Sequence, residues 1–292
     1  MTAPMQKPVC LITGATDGVG KSTALELARR GFRVVMAARS AIKAEALKSE
    51  IAATTGIGDV EYIVADLASL GQVRLLGEAF RSRYAALDVL INNAGVFLPH
   101  RTETEDGYET TYQVNYLSHF LLTQLLLESL DKSAQGRIIN LSSSVHSVGK
   151  FDLHNLQSER HFSVLGAYAA SKLFMLMFTE ELAKRLAGTR ITANAVHPGI
   201  VRTPMMRRAP GAFRIVSYLS TPFSISPERG SETSVYLATS PDLGAITGQY
   251  FAGAKRSAAK NKFDTEENRA LLWDLSVKSV QSAAPPAVRR AG

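Results

Sequence analysis

VCLITGATDGVGKSTALELA, residues 9–28, runs from an apolar stretch into three glycines and then into a helical pattern. Val9–Thr13 has the length and oiliness of a buried strand. Gly14, Gly18 and Gly20, spaced G-x3-G-x-G, allow a tight turn and a close approach of backbone to a ligand, and amides at the start of the following helix would face negative charge. Glycines alone are compatible with a merely flexible loop. Placed between a strand and a helix, they favour the pyrophosphate of a dinucleotide.

Outward from that turn the same alternation continues. Strands are expected at 9–13, 33–38, 60–66, 87–93, 137–143, 190–197 and 249–253. Helices are expected at 20–30, 41–53, 69–84, 107–130, 168–187 and 228–239. Such a rhythm predicts an α/β fold: one Rossmann-type, doubly wound parallel sheet of about seven strands with helices on both faces. Ligands then bind beyond the C-terminal strand ends. A single dinucleotide-binding and catalytic domain is expected over 1–282, with a substrate lid around 200–227 and a disordered tail at 283–292.

Composition narrows the function. The chain has 292 residues, 46% hydrophobic and 20% charged, which suits a globular domain. Its formal charge of +7 comes from scattered basic residues, so a solvated surface is expected and no nucleic-acid partner. Cys10 is the sole cysteine, which excludes an internal disulfide and a thiolate metal site. No apolar run is long enough for an integral membrane segment, and a cytoplasmic location is expected. His146, His154 and His161 follow no metal-ligand spacing, so no metal is assigned.

The second strand ends in MAARS, residues 36–40. A carboxylate at this place would accept from a ribose 2′-hydroxyl, whereas Arg39 would pair with a 2′-phosphate. The expected cofactor is therefore NADP(H), with Lys21 as a second candidate cation and Asp17 as an opposing acid. AYAASKLFM (167–175) places Tyr168 and Lys172 four apart, on one helix face. An ammonium beside a phenol stabilises the phenolate, lowering a pKa that is ordinarily near 10 toward a value useful for proton transfer.

These stretches resemble the short-chain dehydrogenase/reductase family, in its retinol dehydrogenase-like branch. TGATDGVG (13–20) resembles the family's cofactor turn, Asp66-Leu67 its adenine contact, and Asn92-Asn93-Ala94-Gly95 the stretch after the fourth strand. Asn115 in QVNYLSHF, Ser143 in NLSS, Tyr168 and Lys172 match the catalytic set. HPGIVRT (197–203) resembles the element beside the nicotinamide, and the likeness extends through GQYFAGAKRSAAKN and LLWDLS. The resemblance implies an oxidoreductase moving a hydride between NADP(H) and a carbonyl or alcohol. Tyr168 would be the general acid/base and Ser143 would hold the substrate oxygen. Lys172 would bind the nicotinamide ribose, and Asn115 would fix a relay water. Cofactor contacts are implied at Gly14, Thr16, Asp17, Gly18, Val19, Gly20, Arg39, Asp66, Leu67, Asn93, Ala94, Gly95, Tyr168, Lys172, Pro198, Gly199, Val201 and Thr203. Met205, Met206 and Phe213, in the greasy stretch after HPGIVRT, suggest a lipophilic small-molecule substrate. The family's two-fold pairing of helices 107–130 and 168–187 implies a homodimer or homotetramer. Reduction of a carbon–carbon double bond, or cofactor sensing without turnover, are the alternatives on the same fold.

Overall fold

The computed structural model describes residues 7–201 and 224–282. One eight-stranded sheet has the order β3-β2-β1-β4-β5-β6-β7-β8. Its strands are β1 Val9–Thr13, β2 Arg33–Ala38, β3 Val60–Val64, β4 Val89–Asn92, β5 Arg137–Leu141, β6 Thr192–His197, β7 Tyr250–Ala252 and β8 Lys255–Arg256. All pairs are parallel except β7–β8, a two-residue antiparallel addition to the seven strands expected.

Strand alternation builds the two layers. Val9 and Leu11 face one side of β1, with Leu90, Ile138 and Phe120, while Cys10 and Ile12 face the other, with Val34, Met36 and Leu27. Both faces are buried, which explains why the strands read as continuous apolar runs. Helices α1 (Gly18–Arg29), α2 (Ala41–Thr55) and α6 (Pro227–Thr239) line the second face. The first is covered by α3 (Leu70–Arg83), by the rod α4 and by α5 (Val164–Arg185). The rod α4 joins Thr110–Tyr112, a π-helical turn Gln113–Leu117 and Ser118–Asp131. Serine side chains cap α2, α3, α5 and α6, at Ser40, Ser69, Ser163 and Ser226, each accepting an otherwise orphaned amide.

The last helix, α7 (Glu266–Ser282), has no counterpart among the helices expected from the sequence pattern. It lies on α5. Trp273 packs edge-on to Phe120 at 5.0 Å and beneath the Arg185 guanidinium at 4.2 Å, and Ser276 Oγ meets Tyr116 Oη at 2.7 Å. Arg269 adds ion pairs to Glu180 and Asp264. Only Leu272, Trp273, Ser276 and Val280 are buried, a sparse apolar stripe that explains why its periodicity is faint.

Candidate active site

Residues 14–20 leave β1 at its C-terminal end, where the strand order reverses between β1 and β4. Gly14 takes φ +65°, and a Cβ there would come within 2.8 Å of the Ala94 Cα. A Cβ on Gly20 would run into the Gly14 carbonyl oxygen and the Asn93 amide. That amide fastens the two turns together, donating to the Thr13 carbonyl at 2.8 Å and the Gly14 carbonyl at 3.1 Å. Gly20→Ala is therefore expected to lower stability by about 2 kcal/mol and to weaken dinucleotide binding. Urea denaturation and a cofactor titration measure the two effects.

Asp17 is the N-cap of α1, its carboxylate accepting the Gly18 amide at 2.7 Å. The acid thus uses an amide that the sequence pattern offered to a phosphate. Val19 and Val201 meet over Gly230 of α6, each near the position a Cβ would take there. Arg39 is exposed at the end of β2 and makes no hydrogen bond or ion pair among the described residues. Lys21 instead pairs with Glu50 at 2.7 Å. Asp66 and Leu67 follow β3. The Asp66 carboxylate holds the Ala68 amide, and the Leu67 carbonyl accepts from Ser118 of α4.

The other half of the cleft is built from β4, β5, α4 and α5. A Cβ on Gly95 would lie 3.4 Å from Asn115 Oδ1 and 3.7 Å from Lys172 Nζ, so three of the singled-out residues converge there. Asn115 Oδ1 accepts the Val96 amide at 2.7 Å, while its Nδ2 gives to the Val96 carbonyl and to Ser171 Oγ. Lys172 is buried. Its Nζ donates to the Leu141 carbonyl at 2.8 Å and lies 5.6 Å from the centre of the Tyr168 ring. Tyr168 meets Phe97 edge-on at 5.2 Å. Ser143 is half-buried at the end of β5, its carbonyl accepting His146 Nδ1 at 2.7 Å. The neighbouring Ser142 is buried and donates to the Lys172 carbonyl at 2.7 Å.

Electrostatics here depart from the sequence expectation in one respect. An acidified phenol was expected, yet burial pushes Tyr168 up to about 12 and Lys172 down to about 8. Desolvation disfavours both charged forms, and the ammonium bonds to Leu141 rather than to the phenol oxygen. Tyr168 is a half-buried residue whose phenol is kept neutral across physiological pH by that burial. Burial also brings His197, beside the Ser144 amide, down to about 4.

Pro198 and Gly199 follow β6, with Gly199 at φ +89°. The Ile225 amide donates to the Ile200 carbonyl at 2.8 Å, and Val201 bridges to Ile225, so the ends of the expected lid meet in a narrow neck. Thr203, Met205, Met206 and Phe213 lie outside the described residues. A cavity of about 540 Å³ at the opposite end of the sheet, beside Gln135 and Arg190, contains none of the site residues. Among the described residues no group of three His, Cys, Asp or Glu side chains could hold a metal ion, and no helix is long and apolar enough to cross a membrane.

A family model described as short chain dehydrogenase matches residues 8–211. Retinol dehydrogenase 12 of Mus musculus is 43% identical over 268 residues, covering 92% of this chain and 84% of that protein. The crystal structure of an uncharacterized Mycobacterium paratuberculosis protein is similar with a TM-score of 0.75 at 32% identity, over 96% of this chain and 95% of the other. The Pseudomonas aeruginosa RhlG/NADP active-site complex is similar with a TM-score of 0.69 at 26% identity, over 89% and 98%. With a matched stretch that runs from the glycine turn past the Tyr168–Lys172 helix, the chain belongs to the short-chain dehydrogenase/reductase family of oxidoreductases and is retinol dehydrogenase-like.

Proposed function

We propose that the chain is an NADP(H)-dependent oxidoreductase that interconverts a carbonyl and an alcohol on a lipophilic small molecule, with residues 1–282 acting as one catalytic domain. The observation that carries this reading is the convergence of Gly95, Asn115 and Lys172, with the Tyr168 ring over the ammonium, beside the glycine turn. Gly14 and Gly20 are required by the packing of the turn itself, where a Cβ would strike Ala94, Asn93 or the Gly14 carbonyl, and the tight turn they permit at the start of α1 suits a pyrophosphate. Bound there, the nicotinamide supplies or accepts the hydride.

The chain's own residues supply the rest. Tyr168, neutral at physiological pH, gives its proton to the developing alkoxide during reduction. Ser143 holds the same oxygen. Lys172 orients the nicotinamide ribose, and Asn115 holds a water that reloads the phenol through the lysine. Exposed Val148, Leu165 and Ile200 sit on the elements that carry Ser143, Tyr168 and Pro198–Gly199, which supports an apolar substrate. The retinol dehydrogenase named among the relatives points the same way. Profiling lipophilic alcohols, ketones and aldehydes with NADP⁺ and NADPH tests the reading. Saturated carbonyl products in place of alcohols would instead support double-bond reduction.

Arg39 is the proposed selector for the 2′-phosphate. Lys43, exposed in the first turn of α2 and without an ion pair among the described residues, sits where the helix dipole disfavours a cation, and a nearby phosphate would offset that cost. Arg39→Asp is expected to lower kcat/KM for NADPH about 100-fold while leaving NADH equal or improved. Wild-type rates that are equal with the two cofactors would remove the assignment. A homodimer or homotetramer is the proposed assembly, in which α7 would take part in any contact made over α5. Light scattering gives the stoichiometry.

A further inference from the structure

The helix that carries Asn115 also carries a histidine whose bonding is fully determined. His119 is completely buried, with Nε2 2.9 Å from Thr13 Oγ1 and Nδ1 3.2 Å from the Asn115 carbonyl oxygen. A hydroxyl has one hydrogen to give and two lone pairs. Both lone pairs of Thr13 Oγ1 are taken, by the amides of Asn93 at 2.9 Å and Ala94 at 3.0 Å. Its hydrogen goes to His119 Nε2, because the competing Ile91 carbonyl stands at 3.4 Å. Nε2 is then bare, and the ring hydrogen on Nδ1 donates to the Asn115 carbonyl. The opposite tautomer would press a third donor onto Thr13 and set lone pair against lone pair at Asn115. Burial, with the Lys172 charge adding to it, brings the imidazole down to about 3, so it stays neutral.

We infer that His119 is a positioning residue. As the neutral Nδ1–H tautomer it ties the Asn93–Ala94 turn, through Thr13, to the Asn115 carbonyl, and so orients the acceptor of the proton relay behind Lys172. The inference rests on the carbonyl–alcohol reading. The Asn115 side chain is already committed to Val96 and Ser171, which leaves its backbone carbonyl as the group available to a relay water. That carbonyl belongs to the π-helical turn Gln113–Leu117, where the regular ladder of the helix is interrupted. His119 occupies one of its two lone pairs and so holds the carbonyl against a rigid, fully buried partner.

Imidazole ¹⁵N spectra of the full chain with NADP⁺ are expected to show a protonated Nδ1 and a bare Nε2 at His119, with no titration above pH 5. H119L is expected to lose about 10- to 100-fold in kcat while the cofactor KM moves by less than about threefold. H119N, whose amide nitrogen can take the place of Nδ1, recovers most of that loss. H119Q reaches only toward Thr13 and does not. An Nε2–H tautomer, a wild-type kcat in H119L, or an H119N no better than H119L each overturns the role. A wild-type chain inactive on every carbonyl and alcohol removes the chemical reading and the relay with it. An active wild type beside an indifferent H119L removes the relay role alone.

Discussion

Tyr168→Phe lowers kcat by about 10³-fold or more in either direction while NADPH binds within about twofold of wild type. The substitution removes one oxygen and keeps the ring that meets Phe97 edge-on at 5.2 Å. The phenol makes no hydrogen bond among the described residues, so stability should move by less than about 1 kcal/mol and any loss of rate cannot be laid to unfolding. Because the buried phenol sits at about 12, the wild-type acid is fully loaded at neutral pH. Reduction should therefore be insensitive to pH around 7, and alcohol oxidation should rise as the medium becomes alkaline. Single-turnover measurements with bound cofactor separate proton transfer from product release. A variant keeping most of the wild-type kcat would end the assignment of Tyr168 as acid and base.

The strand–turn–helix of residues 9–29 was legible because local pattern and tertiary role coincide there. Apolar Val9–Thr13 is buried on both faces, and the glycines stand where a Cβ would strike Ala94 or Gly14. The other strands were visible for the same reason: β2 matches its expected range, and β3 to β7 have ends trimmed by one or two residues where pairing stops short of the apolar run. Three features were not legible. Helix α7 is held by a few ring contacts and a capped start rather than by a broad apolar stripe. His119, in a leucine-rich segment, reads as core until Thr13, 106 residues earlier, fixes its tautomer. The desolvation that raises Tyr168 and lowers Lys172 stayed hidden because the sequence spacing shows only the ammonium. Each depends on neighbours that only the folded chain brings together.

That desolvation leads to the second large effect, in Lys172→Met. Methionine matches the lysine stem closely enough to fill the same buried slot, so packing is kept while the charge is removed. Turnover should fall about 10³-fold, since the proposed ribose contact and the proposed relay both pass through the ammonium. Stability should move the other way. In the folded chain Lys172 titrates at about 8, against 10.5 when free, so burying its charge at pH 7 costs roughly 3 kcal/mol. The bond from Nζ to the Leu141 carbonyl returns about 1 kcal/mol when present. Net stabilisation of the variant at pH 7 is then about 2 kcal/mol. The sign of the pH dependence follows from the same shift. Between pH 8 and 10.5 the unfolded chain holds more protons at this lysine than the folded one, so wild-type stability gains on the variant as pH rises through that window. Urea unfolding at pH 7, 9 and 10 measures the gap between the two chains. A gap that closes with rising pH identifies a buried ammonium retained for chemistry at the expense of the fold. A gap independent of pH, or a variant less stable at pH 7, would mean that Lys172 is solvated or firmly paired and that its place in the cleft is structural.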